Sequence, residues 1–342
     1  MSEHHRGVDE EDSYLWDGTG RPDPAVASLE KRLRVLRHGG SVPPLPQRSR
    51  AGVSAFRTRR IWIAAAAALV LAAGAAWLIL LLRSSAWTVN SIAGTPAIAG
   101  RAIVTAGQLK RGEWLVTDNS SRARIAVGSI GRVDVDPNTR VQLVETGREH
   151  RMALERGTIH ARIWAPPKLF FVNTQAAVAV DLGCAYTLQV DDRGEGMLRV
   201  TSGWVGLERD GRAAYVPEGA VCPTRRDAGP GTPRYDDAPS GYGEALGLLD
   251  FGSPADPRRT AAYELVLGTA RRKDAMTLWH LLVRGTPDER ARVYDRLASL
   301  VPPPRGVTRE QILAGDRLAL DRWWDQLGVG VNSWWRLLKK KW

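Results

Sequence analysis

Cys184 and Cys222 are the only cysteines in the 342-residue sequence, and their chemistry depends on the compartment that they occupy. In an oxidising compartment two thiols form a disulfide when their Cα atoms lie within about 7 Å of each other. No histidine or further cysteine stands near either residue at the spacing of a metal site. If this part of the chain is exported, the pair predicts a disulfide, with two buried free thiols as the alternative.

The other groups that could do chemistry form no catalytic or metal-binding pattern. Asp134, Asp136, Asn138 and Glu145 have the spacing of a calcium loop, but Thr139 occupies the position that needs glycine. The six histidines are scattered without HExxH spacing, and no glycine-rich loop carries the lysine and Ser or Thr of a phosphate-binding loop. The sequence therefore predicts no catalytic residue, no cofactor and no metal site, and the protein is not expected to be an enzyme.

The C-terminus combines indole rings with cations in the run "SWWRLLKKKW". Tryptophan and lysine together are typical of a membrane–water interface. The residues concerned are Trp334, Trp335, Lys339, Lys340, Lys341 and Trp342. Two interpretations remain open: the tryptophans pack against the helical array while the lysines are solvated, or the segment lies at a membrane interface.

One apolar segment determines where these groups lie. Residues 61–82 contain no charged side chain, and as a helix they would be about 33 Å long, enough to cross a hydrocarbon core of about 30 Å. A signal peptide would begin much nearer the N-terminus, and a buried helix would usually keep a polar stripe. The sequence predicts one transmembrane helix over 61–82.

Arginines flank this segment unevenly. Five of them precede it between residues 48 and 60, whereas Arg83 alone follows closely. The positive-inside rule then places residues 1–60 in the cytoplasm and the rest of the chain outside it. The formal charge of +11 therefore does not indicate nucleic acid, because most of the basic residues lie on the exported side.

The cytoplasmic part contains one credible helix, over 24–37, between polar stretches that we expect to be largely disordered. Asp23 is a helix-capping residue and Pro24 suits the first helical position. An apolar stripe follows at helical spacing, formed by Val26, Leu29, Leu33 and Leu36. Because an isolated helix of this length is marginal in water, the stripe predicts a binding surface for the membrane, a second copy or another protein, unless the helix is frayed.

Between residues 86 and 225 the apolar residues alternate with polar ones, as in "GEWLVTD", "SRARIAV", "GRVDVD" and "TRVQLVE". This period of two predicts half-buried strands, and the Asp210–Gly211 dipeptide predicts a tight hairpin turn. Closely spaced strands without intervening helices indicate an all-β sandwich, roll or barrel.

The sequence after residue 225 predicts a Gly- and Pro-rich linker over 226–258 and an α-helical domain over 259–342. Helices are predicted at about 260–284, 287–300 and 308–327. Thr286 with Glu289, and Thr308 with Gln311, form capping boxes at the starts of the last two helices.

The β region resembles the FecR domain of iron-dicitrate-type sensor regulators. The resemblance lies in the ordered blocks "GSIGRVDVDPNTRVQLV", "MALERGTIHARI", "FFVNTQAAVAVDLGCAYTLQV", "LRVTSGWVGLE" and "AAYVPEGAVC". In that pattern the blocks end at glycines, here Gly157, Gly183, Gly203 and Gly219. Where the family usually has Thr and Phe after the second glycine, this chain has Cys184, Ala185 and Tyr186, which supports a disulfide.

The resemblance implies a mainly β exported domain, a sandwich or roll of short antiparallel strands, in a protein of the bacterial inner membrane with its C-terminal domains in the periplasm. It also implies signal transduction, with an envelope protein as the exported partner and a cytoplasmic partner such as a sigma factor. The cytoplasmic side here has one helix rather than a compact helical domain. A non-catalytic envelope scaffold or adaptor is therefore the alternative function.

Overall fold

A computed structural model describes residues 21–37, 39–40, 67–74 and 86–328. Helix α1 (Pro24–Leu33) is followed by a short 3-10 turn (Arg34–Leu36). The Asp23 carboxylate accepts a hydrogen bond from the backbone N–H of Ala25 at 2.6 Å, and proline occupies the first turn. The predicted start of this helix is confirmed, and no residue of α1 is buried.

Residues 67–74 are helical. The rest of the predicted transmembrane segment, 61–66 and 75–82, lies outside the described residues. Among the helices that the structure describes, none is long and apolar enough to span a bilayer. The transmembrane helix stays a prediction.

The β domain contains the strands β1 (Ala86–Ala93), β2 (Ala97–Ile98), β3 (Arg101–Ala102), β4 (Ala106–Lys110), β5 (Trp114–Val116), β6 (Arg122–Val127), β7 (Gly131–Val135), β8 (Arg140–Glu145), β9 (His150–Ile163), β10 (Phe170–Asn173), β11 (Val178–Asp181), β12 (Ala185–Val190), β13 (Gly196–Ser202), β14 (Trp204–Arg209), β15 (Arg212–Pro217), β16 (Ala220–Arg225), β17 (Gly229–Pro230) and β18 (Arg234–Tyr235). All but one of the pairings between them are antiparallel, the exception being β9 with β10. The predicted mainly β domain is confirmed.

The strands form two sheets that share β9. The C-terminal half of β9 lies in sheet A, in the order β4-β1-β6-β7-β9-β12-β13-β16. Its N-terminal half lies in sheet B, in the order β3-β2-β5-β8-β9-β10-β11-β14-β15. Gly157 stands where β9 passes from one sheet to the other, with φ of 95°. A Cβ atom there would lie 2.4 Å from the Cα of Thr139, so the crossing requires glycine.

The inward side chains of both sheets form one hydrophobic core. The alternation predicted for β6, β7 and β8 is confirmed, because Ile125, Val133 and Val141 are fully buried. Asp210 and Gly211 connect β14 to β15 as a two-residue loop in which both φ angles are positive. This is the predicted tight hairpin.

Seven helices are labelled here in all, and six follow the strands: α2 (Tyr242–Phe251), α3 (Arg258–Thr269), α4 (Ala275–Arg284), α5 (Pro287–Leu300), α6 (Arg309–Leu313) and α7 (Arg317–Gln326), with a 3-10 turn (Arg272–Asp274) before α4. Both predicted capping boxes are present, at the starts of α5 and α6. The predicted long helix over 260–284 is broken at Ala270 and the 3-10 turn. Gly315, with φ of 76°, separates α6 from α7 within the predicted 308–327 helix.

The predicted linker over 226–258 is wrong, because this segment is folded. Gly229–Pro230 pairs with β16, Thr232 is buried, and Tyr242–Phe251 forms helix α2. Tyr242, Leu246 and Leu249 of α2 belong to the common core. A run rich in glycine and proline therefore packs here instead of separating two domains.

Three buried tryptophans belong to the helical region. Trp279, Trp323 and Trp324 are nearly inaccessible to solvent, and the indole N–H of Trp279 donates to the Leu320 carbonyl at 3.0 Å. Trp324 packs edge-on against Trp204 of β14 and Tyr215 of β15. The helices and the β domain therefore share aromatic packing.

Candidate functional site

A groove crosses the outer face of sheet B. One row of directly opposed residues forms its floor, in the order Arg151, Phe171, Val180, Gly206 and Tyr215. Phe171 and Val180 are buried, yet they lie outside the common core cluster that contains their neighbours Phe170 and Ala179. Both faces of these strands therefore carry covered apolar residues, one toward the core and one toward the groove.

The groove has a volume of about 650 Å³, which is within the range of small-molecule and peptide-binding clefts. A second cavity of about 470 Å³ continues it between β15 and helices α4 and α7. The two share the Asp210–Gly211 turn and Arg317 at the start of α7. The helical region therefore supplies one wall of a cleft whose floor is the sheet.

Gly206 is a buried residue of this row and has no side chain. It lies between Val180 and Tyr215, which both line the groove. A Cβ atom added at Gly206 would meet only Val180, at 3.8 Å from its Cβ, which is an ordinary contact. The backbone therefore has room for a Cβ atom at Gly206, on the face of the sheet that carries Val180 and Tyr215.

Arginines dominate the rim. Arg151 stacks on the Phe171 ring, with its guanidinium carbon 4.3 Å from the ring centroid, and donates to Glu149 and Asn173 at 3.0 Å each. Arg209 donates to the Gln175 carbonyl. Four arginines line the cavity against two acids, Glu208 and Asp210, the arginines being Arg151, Arg209, Arg212 and Arg317. The groove is therefore apolar at its floor and positive at its rim.

A buried ionic cluster fixes the helical wall. The Asp250 carboxylate on α2 accepts hydrogen bonds from Arg212 at 2.8 Å and Arg284 at 3.3 Å, and from the backbone N–H and hydroxyl of Thr232 at 2.6 and 2.9 Å. Burial lowers the pKa of Arg284, and the negative charge of Asp250 opposes that effect. Arg284 also donates to the Ala213 carbonyl at 2.6 Å. These contacts hold α2 and α4 against edge strand β15.

The predicted partner-binding stripe on α1 is solvent-exposed. Leu29, Leu33 and Leu36 have exposed fractions of 59%, 52% and 77%, and Val26 is half-buried. The helix is amphipathic in this arrangement, with basic Lys31 and Arg32 in its last turn. Its role in binding stays a prediction.

The predicted disulfide is wrong, because Cys184 and Cys222 are both free and buried. Cys222 lies opposite Leu198, which lies opposite Leu188, so the cysteines are two strands apart and four residues apart along the strands. At ~4.8 Å per strand and ~3.3 Å per residue, their Cα atoms are roughly 16 Å apart, beyond the reach of a disulfide.

Each thiol instead has its own partner. The Cys184 Sγ donates to the buried Asp181 carboxylate at 2.7 Å, and the Cys222 Sγ donates to the Gly231 carbonyl at 3.2 Å. Burial, with the nearby Asp181 charge, raises the pKa of Cys184, and burial raises the pKa of Cys222 to about 12. Both are therefore poor nucleophiles in the folded protein.

The remaining sequence candidates divide into two groups. The membrane-interface candidates Trp334, Trp335, Lys339, Lys340, Lys341 and Trp342 lie outside the described residues. In the calcium-like run, Asp134 pairs with Arg124 at 2.5 Å and Asp136 pairs with His160 at 2.8 Å. Across residues 21–37, 39–40, 67–74 and 86–328, no group of three acidic, histidine or cysteine side chains could hold a metal ion.

Sequence reasoning missed the groove. The signal was present in "FFVN" and "VAVD", where apolar residues occupy consecutive positions of a strand. Such runs indicate strands that are covered on both faces. Which residues cover the second face depends on the packing of distant helices, and alternation within one strand does not reveal it.

The FecR protein family matches residues 113–206. Two crystal structures of a candidate anti-sigma factor from Parabacteroides distasonis ATCC 8503 are similar, each with 14% identity and a TM-score of 0.32. One alignment covers 36% of this chain and 60% of that chain, and the other covers 40% and 63%. The chain thus spans less than two thirds of the length of these structures.

Comparison with curated proteins gave no significant match. The family match begins at Glu113 and ends at Gly206, so it includes β10, β11 and the first three residues of β14, and it excludes the rest of β14, β15 and all the helices. Within these bounds the sequence resemblance and the family comparison agree, and residues 113–206 match the FecR family.

Proposed function

We propose that the protein is a single-pass membrane signal-transduction protein of the bacterial inner membrane. Its periplasmic FecR domain would bind a segment of an envelope protein, and its cytoplasmic helix α1 would bind a cytoplasmic partner such as a sigma factor. The observation that carries this proposal is an open groove lined partly by the FecR-matched strands β10 and β11, in a chain whose helix α1, ahead of the predicted transmembrane segment, bears an exposed apolar stripe. No step of this function requires catalysis or a cofactor.

The groove suits an extended peptide segment with both apolar and acidic residues. Phe171 and Val180 provide an apolar floor, and carboxylates of the ligand would meet the guanidinium groups of Arg151, Arg209 and Arg317 at the rim. Guanidinium–carboxylate pairs are stronger than neutral hydrogen bonds and add geometric specificity. An acidic segment of an envelope protein is therefore the ligand class that we expect.

Gly206→Val tests the groove, because valine is favourable in a strand and its side chain would project between Val180 and Tyr215, which line the groove. Gln189→Val adds the same side chain at an exposed position of β12 in sheet A and serves as the control. A photo-crosslinking residue at Val178 should capture the same envelope partner from wild-type and Gln189→Val cells. Capture should be lost in Gly206→Val, and unchanged capture would contradict the groove assignment.

The proposed interaction with a cytoplasmic partner depends on helix α1. Burying an aliphatic side chain such as leucine contributes about 1.5–3 kcal/mol before the entropy of association is subtracted. Leu29→Asp with Leu33→Asp would place two charges in that contact. Ser28→Asp with Lys31→Asp adds two carboxylates to exposed positions off the stripe and controls for acidity. We expect cytoplasmic crosslinks to be lost only in the first double variant.

The alternative function is a non-catalytic envelope scaffold. One observation favours it, since the Asp250 cluster holds the helical region rigidly against β15 and so offers a fixed surface to envelope proteins. A scaffold needs the groove or the helices but not α1. If both double variants retain the same crosslinks, or wild type gives none in the cytoplasm, the signalling proposal fails and the scaffold remains.

A further inference from the structure

The outer face of sheet A carries an uncompensated pair of arginines near one end. Arg132 of β7 lies directly opposite Arg162 of β9, and the same row continues through Ala126 to Thr88 of β1. Like charges directly opposite one another in a sheet are destabilising. Neither arginine forms an ion pair with any residue between 86 and 328 that the structure describes.

The rows farther along the same face are different. Arg124 pairs with Asp134 at 2.5 Å, and the next row brings Arg122 within 3.6 Å of Asp136. Each of these arginines therefore has an acid on the neighbouring strand. Among the described rows of β6, β7 and β9 on this face, the row that contains Arg132 and Arg162 has two arginines and no acid.

An exposed tryptophan lies beside this pair. Trp164 follows Arg162 by two residues and comes directly after the end of β9. In continued extended backbone both side chains lie on the same face, and 62% of Trp164 is exposed. Its backbone N–H donates to the Ile130 carbonyl and its indole N–H donates to the Ser129 carbonyl, both at 3.0 Å. The indole is thus held in place while its ring faces solvent.

The start of the β domain lies at this same end. Thr88 of β1 is in the row of Arg132 and Arg162, so Ala86 is level with Trp164, two residues farther along. Only three residues separate Ala86 from Leu82, the end of the predicted transmembrane segment. The four residue steps from Leu82 to Ala86 span at most about 14 Å when fully extended. This end of the domain is therefore tethered close to any bilayer that the segment crosses.

We propose that Arg132, Arg162 and Trp164, here called the basic end face, bind the anionic phospholipid headgroups of the membrane that anchors the chain. Guanidinium groups pair with phosphate, and tryptophan favours the headgroup level of a bilayer. Phosphates would supply the counter-charge that the neighbouring strands do not give to Arg132 and Arg162. The proposal rests on the proposed transmembrane topology, and it assigns a fixed orientation to the FecR domain on the membrane surface.

The test uses the full chain in nanodiscs of phosphatidylglycerol and phosphatidylcholine that contain a headgroup-spin-labelled lipid. A fluorophore on Ser129→Cys reports the distance from the headgroups, because this exposed turn residue adjoins Trp164 and leaves the basic end face intact. Arg193→Cys, in the turn at the opposite end of sheet A between β12 and β13, is the control. The native cysteines are buried and remain unlabelled in the folded protein.

We expect strong quenching at residue 129 and little at residue 193. Arg132→Gln with Arg162→Gln should remove most of the difference, as should nanodiscs of phosphatidylcholine alone, while the melting temperature of the chain changes little. Trp164→Ala should weaken the quenching independently of salt.

Equal quenching at the two positions, or quenching that the arginine variants leave unchanged, would overturn the proposal even if the chain remains in the nanodisc. A chain that does not stay in the nanodisc would overturn the transmembrane topology as well.

Discussion

His280 of helix α4 accepts a hydrogen bond from the backbone N–H of Tyr215, with Nε2 and N 3.0 Å apart. Its other ring nitrogen, Nδ1, lies 2.8 Å from the Met276 carbonyl, so the neutral tautomer with the proton on Nδ1 satisfies both contacts. His280 is buried. Tyr215 lies on edge strand β15, whose outer side would otherwise offer unpaired backbone groups to another chain. A helix side chain therefore takes the place of a neighbouring strand.

His280→Ala should destabilise the β domain together with the helices packed on it. The substitution leaves the buried N–H of Tyr215 without its acceptor and opens a cavity, and an unsatisfied buried donor costs about 1–3 kcal/mol. Glu264→Ala, at an exposed position of α3, is the control and should change the free energy of unfolding by less than about 0.5 kcal/mol. Denaturant unfolding measures the free energy of unfolding of both variants. Equal stability of the two variants would show that the contact does not hold the helices to β15.

Asp250→Ala should lower the free energy of unfolding more than His280→Ala does, because it leaves Arg212 and Arg284 without their shared carboxylate. Removing one partner from a buried ionic cluster typically costs about 3–5 kcal/mol. The control is Asp295→Ala, since Asp295 pairs with Arg309 at 3.3 Å at the surface, with both side chains well exposed. A surface pair of that kind contributes about 0–1 kcal/mol. In thermal unfolding, Asp250→Ala should therefore lower the melting temperature clearly more than Asp295→Ala does. Similar decreases in the two variants would contradict the assigned role of Asp250.

The sequence allowed the strands, their turns and the helix caps to be predicted, because these depend on nearby residues. Gly157, Gly183, Gly203 and Gly219, the glycines that end the family blocks, all have positive φ. The Asp210–Gly211 turn was predictable for the same local reason. Each of these features needs only a few consecutive residues to specify it.

Long-range packing was not predictable in the same way. The segment containing Thr232 and Asp250 has linker-like composition, yet contacts from Arg212 and Arg284 fold it against β15. The separation of Cys184 from Cys222 depends on the order of β12, β13 and β16, which two cysteine positions do not encode. Predicting the groove would likewise have required knowing which elements lie above β10 and β11.

Gly157→Ala should prevent β9 from passing between the two sheets. Alanine would adopt an unfavourable positive φ, and its Cβ would also overlap Thr139. Gly100→Ala is a matched control, because Gly100 has φ of 78° and open space around its Cβ position. The control should show only the backbone strain of about 1–3 kcal/mol. We expect Gly157→Ala to lose more stability than Gly100→Ala by denaturant unfolding, and a reversed order would contradict the steric argument.

The two cysteines should react as free thiols once the chain is unfolded. In native protein, neither Cys184 nor Cys222 should be alkylated, because both are buried and the pKa of each thiol is raised. In denaturant without reductant, both should be alkylated, giving a mass increase of two adducts. Protein purified from an oxidising compartment makes the test stringent. An increase that appears only after reduction would show that the disulfide forms despite the strand order.

Stability should fall as the pH rises from about 4 to about 7 through the buried carboxyl of Asp181. Burial raises the pKa of Asp181 to about 7, although hydrogen bonds from the Cys184 thiol and the Gly183 N–H favour the charged form. In the unfolded chain the pKa is about 3.9. Between these values the unfolded state releases the proton that the folded state retains, so the free energy of unfolding decreases with increasing pH.

A shift of about three pKa units corresponds to roughly 4 kcal/mol across that window, which sets the upper limit of the effect. Asp181→Asn cannot ionise and should therefore flatten the pH dependence, and it should be relatively more stable than wild type at pH 8 than at pH 4. Asp118→Asn is the control, because hydrogen bonds from Ser120 and Ser121 lower the pKa of the exposed Asp118 to about 2, which places its titration below the window. Denaturant unfolding at pH 4, 6 and 8 should show the same slope for wild type and Asp118→Asn. If Asp181→Asn retained that slope too, another group would have to be the source of the pH dependence, and the protonated state of Asp181 in the folded protein would be ruled out.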